Sequence, residues 1–290
     1  MQLNEIIPLK MLSGRTIPSI GLGTYLIKGR RCKDIINEAL SLGYRAFDTA
    51  AMYDNECDLG NALKELLPKH NLQRKDIFIT TKLYPSDHGA RTTGAIKTSL
   101  KNLQLDYIDL YLIHWPGVYG VSHNSKDNLR LRTESWEAMV KAQEQLLIKD
   151  IGVSNYTVTH LKQLLDNCYG VKPVINQVEW HPSCHQPELK DFCDKENIIL
   201  QAYMPLGGNG NSRLLQHRII RGVSERLNKT PAQVLLRWCL QQNVAIIPKA
   251  SSREHLKENL QLNFVIPESE MVAIGKISPE KYDWDPSGIA

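Results

Sequence analysis

A run of apolar and β-branched residues followed by a segment of helical spacing recurs about eight times, and this alternation limits the fold more than any other feature of the chain. In the intervening segments apolar residues share one helical face, as Ile35, Ile36, Ala39 and Leu40 do. Strands that alternate with helices through short links form a parallel sheet with helices outside it. Eight repeats favour a closed (β/α)8 barrel, a TIM barrel of the α/β class, over an open sheet. The predicted strands lie at residues 19–24, 45–49, 77–83, 109–115, 151–154, 174–179, 198–202 and 244–248.

The segment before the first repeat predicts a β-hairpin that covers the bottom of the barrel. Its strands are expected at 6–9 and 18–21, around a turn at Ser13 and Gly14. No linker rich in Pro, Ser or Gly divides the 290 residues, so the whole chain, 1–290, is predicted to form a single domain.

Two further segments carry local predictions. In Thr230-Pro231-Ala232-Gln233, Thr230 can cap a helix start and Gln233 can reach back to it. The polar stretch 116–132 is predicted to be a long loop on the catalytic rim that shapes the substrate site.

Composition narrows the class of protein. An apolar fraction of 42% and a charged fraction of 23% are ordinary for a globular protein. A net charge of +4 without any basic block gives no support to nucleic-acid binding. We expect no membrane span and no signal peptide, because no apolar run is long enough. Six scattered cysteines without a C-x-x-C pair are expected to be reduced, which predicts a cytoplasmic protein.

Four polar residues fall at or just beyond the carboxyl ends of three successive predicted strands. Asp48 lies at the end of the apolar run in the first of these strands, Lys82 in the second and His114 in the third. Tyr53 follows Asp48 by five residues. In a parallel α/β barrel the carboxyl ends of the strands form the face that carries chemistry. We therefore interpret these four as catalytic residues.

The four side chains suit the delivery of a proton to an oxygen. A phenol with an ordinary pKa near ~10 is a poor acid at neutral pH, and a neighbouring ammonium lowers that pKa. Lys82 is placed to do this for Tyr53, Asp48 can keep Lys82 charged, and His114 can donate a hydrogen bond to the same substrate oxygen. The group has neither an obvious nucleophile nor a metal cage, so no metal is predicted and a cofactor must supply the reductant.

These residues sit in motifs that resemble the aldo-keto reductase family, in particular its short-loop aldehyde and ketone reductases. The resemblance extends from GLGTY at 21–25 to KEN at 257–259. It is carried by GYRAFDTA at 43–50 with Tyr53, Glu56 and Leu59-Gly60, by TTKL around Lys82, by DLYLIHWPG around His114, and by GVSNY at 152–156, NQVEWHP at 176–182 and AYMPLG at 202–207.

The resemblance implies a barrel fold and an NADPH-dependent reduction of aldehydes and ketones, in a protein that acts as a monomer. It implies that Tyr53 is the general acid, that Lys82 and Asp48 tune it, and that His114 orients the substrate. The cofactor-binding residues that it implies are Thr24, Asp48, Ser154, Asn155, Gln177, Tyr203, Leu206, Gly208, Lys249, His255, Glu258 and Asn259. The substrate-binding residues that it implies are Tyr25, Met52, Tyr84, His114 and Trp115.

Two departures from the family pattern bear on cofactor choice. Ala250 replaces the usual serine or threonine, and His255 replaces an arginine at the 2′-phosphate. The guanidinium of arginine is always charged and can make two parallel hydrogen bonds to a phosphate, whereas histidine is mostly neutral at pH 7. We expect NADPH to be preferred, with Lys249, Arg253 and Lys257 compensating, and NADH to remain a second option.

Four other interpretations of these motifs compete with this one. The segment 181–185, HPSCH, has metal-binding atoms without regular ligand spacing, and the glycines at 21 and 23 lack the third glycine of a dinucleotide fingerprint. A non-catalytic relative that binds cofactor, such as a crystallin or a channel subunit, is the alternative function. A lyase with a Schiff base on Lys82 would leave Tyr53 and Tyr203 without roles.

Overall fold

Ten strands lie in the part of the chain that the computed structural model describes, residues 6–208 and 213–290. Two of them, β1 (Leu9–Lys10) and β2 (Thr16–Ile17), pair antiparallel as a hairpin. The other eight form one parallel sheet: β3 (Leu22–Gly23), β4 (Ala46–Asp48), β5 (Phe78–Leu83), β6 (Ile108–Ile113), β7 (Ile148–Ser154), β8 (Ile175–Glu179), β9 (Ile199–Tyr203) and β10 (Ala245–Ile246).

The sheet closes on itself, so the predicted (β/α)8 barrel is confirmed. The strands neighbour each other in chain order from β3 to β10. The seam forms where Ile246 N donates to Ser19 O at 2.8 Å and Gly21 N donates to Ile246 O at 2.9 Å. A Cβ on Gly23 would lie 2.7 Å from Ile247 O, so this glycine lets the two backbones approach at the seam.

Helices with one buried apolar face alternate with the sheet strands. The predicted face of the first helix is buried, and Ile36 and Ala39 have no exposed surface. The predicted capping box is confirmed: Thr230 Oγ1 accepts from Gln233 N at 3.2 Å, and Gln233 Oε1 accepts from Thr230 N at 3.1 Å. The helices are α1 (Gly29–Leu42), α2 (Glu56–Lys69), α3 (Thr92–Leu103), α4 (Asp127–Glu144), α5 (Val158–Asp166), α6 (Pro187–Glu196), α7 (Arg218–Leu227), α8 (Pro231–Gln241), α9 (Arg253–Glu258) and α10 (Glu268–Gly275).

None of the helices within these described ranges has the length and apolar character that a membrane span requires.

The hairpin lies at the amino ends of the barrel strands, which is the bottom of the barrel. Met11 and Ile17 pack into one buried cluster with Leu110 and Ile175. Arg15 Nη1 donates to the carbonyl of Lys149, near the start of β7, at 2.7 Å. The predicted hairpin is therefore confirmed, although its strands are shorter than predicted and lie nearer the turn.

The predicted loop 116–132 is wrong in its last six residues, because α4 begins at Asp127. Asn128 explains the early helix start. Its Oδ1 accepts from Val118 N at 3.0 Å, and its Nδ2 donates to Ser122 O at 2.8 Å. These bonds satisfy loop backbone groups from a helical residue, so the loop folds back on the first turn of the helix.

Candidate active site

The four predicted catalytic residues meet at the carboxyl ends of the strands. Asp48 is the last residue of β4, Lys82 lies near the end of β5, and His114 directly follows β6. Tyr53 ends a short 3₁₀ helix, Ala51–Tyr53, after β4. The ring centroids of Tyr53 and His114 are 5.7 Å apart, in an edge-on arrangement.

A fully buried lysine joins this group. Lys82 has no exposed surface, and its Nζ donates to Asp48 Oδ1 at 2.5 Å, to Thr49 O at 2.9 Å and to Tyr53 OH at 3.2 Å. Nζ has three protons, and each finds an oxygen. The ammonium is therefore held in one position beside the phenol.

The electrostatics of the trio differ in one respect from the sequence prediction. Burial lowers the pKa of Lys82, but Asp48 and Tyr53 outweigh it and raise that pKa above its ordinary value. Burial raises the pKa of Asp48, and the opposite effect of the Lys82 ammonium is smaller. Burial also raises the pKa of Tyr53, and Lys82 offsets this only in part. The expected net lowering for Tyr53 is thus not found, because desolvation of a phenolate exceeds the attraction of one ammonium that is already paired.

His114 is a neutral group in this site. Burial, and then the charge of Lys82, lower the pKa of His114 well below its ordinary value. A neutral imidazole keeps one N–H donor. It can therefore donate a hydrogen bond to a substrate oxygen without competing with Tyr53 for the proton.

An open cleft of about 910 Å³ lies above this group. Most predicted site residues line it, whereas Thr24, Lys82 and Ser154 are buried in its wall and Tyr84 is not part of the lining. The predicted residues that line the cleft are Tyr25, Asp48, Met52, Tyr53, His114, Trp115, Asn155, Gln177, Tyr203, Leu206, Gly208, Lys249, His255, Glu258 and Asn259.

Hydrogen bonds connect the predicted nicotinamide residues. Ser154 Oγ donates to the backbone oxygen of Gln177 at 2.8 Å. Tyr203 OH donates to Asn155 Oδ1 at 2.8 Å, and Asn155 Nδ2 donates to His114 O at 3.0 Å. These bonds fix the ring of Tyr203 at the edge of the cleft, where a flat aromatic ligand can stack on it.

The opposite end of the cleft has fewer cations than the sequence suggested. Lys249 and His255 line it, but Arg253 and Lys257 do not. Arg253 Nη1 instead bonds Glu38 and Ser41. Arg253 is thus held by α1, and of the three cations expected to compensate for His255 only Lys249 lines the cleft.

Three residues of the site had no signal in the sequence. Asn55 Nδ2 donates to Thr24 O at 2.9 Å and so supports the first strand of the rim. Gln201 accepts from Gln177 Nε2 at 2.8 Å. Asp283 enters the cleft lining from the distant tail, residues 279–290. All three are recognisable only by what lies next to them in space.

A cluster of three residues with metal-ligand atoms lies outside the cleft, among the described residues. Ligand atoms of Glu179, His181 and Cys184 come within 4.8 Å of one another, and all three residues are buried. The sequence segment 181–185 contains His181 and Cys184, whereas Glu179 precedes it and joins them only in the folded chain. However, Glu179 Oε2 already accepts from Lys281 Nζ and from Asp283 N, each at 3.0 Å. An ammonium at that distance opposes a second cation, so the carboxylate is an anchor for the tail.

Comparisons with known proteins agree with this geometry. The sequence model of the Aldo/keto reductase family matches residues 19–279. Methylglyoxal reductase DkgA of Escherichia coli O157:H7 is 38% identical over 94% of both chains. Glyoxal reductase of Bacillus subtilis (strain 168) is 37% identical over 94% of this chain and 93% of its own. A solved aldo-keto reductase (AKR2E5) complexed with NADPH is 28% identical, with a TM-score of 0.85, over 95% of this chain and 88% of its own. The match covers nearly the whole barrel and every strand end that carries the site, and the chain therefore belongs to the aldo/keto reductase family.

Proposed function

We propose that the chain is an NADPH-dependent reductase that converts aldehydes and ketones to alcohols. The observation that carries this proposal is the contact of Lys82 Nζ with both Asp48 Oδ1 and Tyr53 OH at the base of an open cleft. Desolvation of such a buried charged pair costs several kcal/mol. The pair is therefore expected where it has a chemical role, and here it can stabilise the phenolate that forms when Tyr53 releases its proton.

Tyr53 would donate the proton and His114 would hold the carbonyl oxygen. The cofactor, when bound, would supply a hydride to the carbonyl carbon. As negative charge grows on the oxygen, the phenol proton moves to it, and Lys82 stabilises the phenolate that remains. The neutral imidazole of His114 donates to the same oxygen, which fixes the carbonyl beside the phenol.

The cleft suits a nicotinamide cofactor. Tyr203 presents an aromatic face beside Asn155 and Gln177, and the amide oxygen of Gln177 has no partner among the described residues. Lys249 and His255 would meet the phosphate of the adenosine end. Leu206 and Gly208 also line the cleft, and the glycine-rich segment continues into 209–212, outside the described residues.

The substrate end is apolar and open. Tyr25 and Met52 are 45% and 51% exposed, and the Tyr25 ring lies 5.1 Å from that of Tyr53. Among the described residues, no lysine or arginine lines this end to hold a charged substrate. We propose small uncharged aldehydes and 1,2-dicarbonyls, the class to which the names of the bacterial relatives point.

The two alternatives predict different results. A Schiff-base lyase needs an accessible, neutral amine, whereas Lys82 is buried and three oxygens hold its ammonium. A non-catalytic relative would bind NADPH without oxidising it in the presence of glyoxal, methylglyoxal or any simple aldehyde.

The test of the proposal is the variant Tyr53→Phe. We expect kcat for NADPH oxidation with methylglyoxal to fall by about 10²–10⁴, because the general acid is removed. The Kd for NADPH should be unchanged, since the phenyl ring remains. Turnover is followed by absorbance and binding by protein fluorescence, and normal turnover in this variant would refute Tyr53 as the acid.

Cofactor choice has its own test in His255→Arg. We expect the ratio of kcat/KM for NADPH over NADH to rise about tenfold or more, because arginine adds a charge-assisted bond at the adenosine end. Glu254→Gln is the matched control, because it also raises the net charge by one, and Glu254 is an exposed residue of the same helix outside the cleft lining. An equal rise in both variants would show a general charge effect.

We also propose that residues 1–290 form one domain that acts as a cytoplasmic monomer. Sedimentation of the purified chain at several concentrations tests the monomer.

A further inference from the structure

A buried glutamine on β9 holds the side chain of Gln177. Gln201 lies opposite Gln177 in the β8–β9 ladder and is 2% exposed. Gln177 Nε2 donates to Asp48 Oδ2 at 2.8 Å and to Gln201 Oε1 at 2.8 Å. Both protons of the Gln177 amide nitrogen are therefore used inside the protein.

Asp48 decides which amide atom faces inward. Its carboxylate accepts from the ammonium of Lys82, and an ionised carboxylate has only acceptor atoms. The carboxylate therefore favours the nitrogen of Gln177 over its oxygen at this contact. Gln201 Oε1 strengthens this preference, because it accepts the second amide proton and would face an oxygen if the Gln177 amide were reversed.

The oxygen of the Gln177 amide is left for a ligand. It has no hydrogen-bond partner among the described residues, and Gln177 lines the cleft. An amide oxygen only accepts, so its complement is an N–H donor. The ring carboxamide of a nicotinamide offers such a donor, whereas an acetyl group at the same ring position offers none.

We propose that Gln201 is a positioning residue that makes the site select a carboxamide on the cofactor ring. Together with Asp48 it holds the amide of Gln177, so that the acceptor oxygen faces the cleft. This inference rests on the proposed function, because it needs the nicotinamide to bind beside Gln177.

The test compares two cofactors that differ only in that group. The Kd values of NADP and of its 3-acetylpyridine analogue are measured by fluorescence for the wild type, Gln201→Met and Gln201→Asn. Methionine keeps the length without the acceptor, and asparagine withdraws the acceptor by one methylene. We expect the preference for NADP to fall about fivefold in both variants, the value of one hydrogen bond.

Leu200→Met is the matched control, since Leu200 is the adjacent buried residue of β9 and its side chain points to the other side of the sheet. It should keep the wild-type preference. If Gln201→Met does not fold, Gln201→Asn decides alone.

Other outcomes overturn the inference. A weaker Kd for both cofactors in equal proportion would mean that Gln201 only supports the strand. If the wild type reduces methylglyoxal with NADPH and the variants keep its preference, the inference fails and the proposed function stands. If the wild type binds neither cofactor, both fail together.

Discussion

At the scale of single residues, the site depends on the charge of one buried lysine. Lys82 contacts Asp48 and Tyr53, and no other cation among the described residues bonds to either oxygen. The sequence predicted this grouping, since three strand ends in a parallel barrel must face the same way. It did not predict the net pKa of Tyr53, because that depends on how completely the surrounding barrel removes water.

A substitution of Lys82 tests this dependence. We expect Lys82→Met to lower the free energy of unfolding by about 3–5 kcal/mol, because it leaves the Asp48 carboxylate buried without its partner. The double variant Asp48→Asn, Lys82→Met should regain part of that stability and no activity. Urea denaturation and NADPH oxidation measure the two effects. If Lys82→Met were as stable as the wild type, the Asp48–Lys82 pair would not contribute to stability as we expect.

At the scale of elements, the helix α2 needs a glycine where it crosses α3. A Cβ on Gly60 would lie 2.6 Å from Leu103 O and 2.7 Å from Asn102 O. Gly94 in α3 has open space around the same position. Helix propensity favours alanine at both sites, so only the packing distinguishes them.

We expect these two sites to respond in opposite directions. Gly60→Ala should lower the free energy of unfolding by about 1–3 kcal/mol, since backbone atoms cannot give way to the new methyl group. Gly94→Ala should raise it by about 0.5–1 kcal/mol through helix propensity alone. Thermal and urea unfolding measure both, and a stabilised Gly60→Ala would show that the helices can move apart.

At the scale of the whole molecule, a buried carboxylate of the barrel holds the first part of the tail. Glu179 at the end of β8 accepts from Lys281 Nζ, from Tyr282 N at 2.7 Å and from Asp283 N. Burial raises the pKa of Glu179, but the opposite effects of His181, the Tyr282 amide and Lys281 are larger. The net result is a pKa of about 2. The same tail carries Asp283 to the cleft and Trp284 to within 5.3 Å of the Trp115 ring.

The pH dependence of stability follows from that lowered pKa. Between the ordinary value of 4.5 and about 2, the unfolded chain binds more protons at Glu179 than the folded one. This residue therefore stabilises the fold above pH 4.5, and its contribution is lost as pH falls towards 2. We expect Glu179→Gln to lower the free energy of unfolding at pH 7 by about 2–3 kcal/mol. The free energy of unfolding should then depend less on pH below 4.5.

Glu280→Gln is the control for the tail. Glu280 is exposed and pairs with Arg213 at 3.2 Å, so its loss should cost less than about 1 kcal/mol. Urea unfolding at pH 7, 4 and 3 measures both variants. Equal losses in the two variants would mean that Glu179 contributes no more to stability than a surface ion pair does.

The sequence by itself determined the barrel, the hairpin and the rim on which Asp48, Tyr53, Lys82 and His114 meet. Local sequence patterns are enough for these features. The alternation of strand and helix patterns predicts a parallel sheet covered by helices, and it also predicts where each strand ends. Only the tertiary structure decided the partners across the barrel: Gln201 beside Gln177, the tail on Glu179, and Arg253 turned to Glu38. Those contacts join residues far apart in the chain, and short polar side chains carry no periodic signal of the neighbour they will meet.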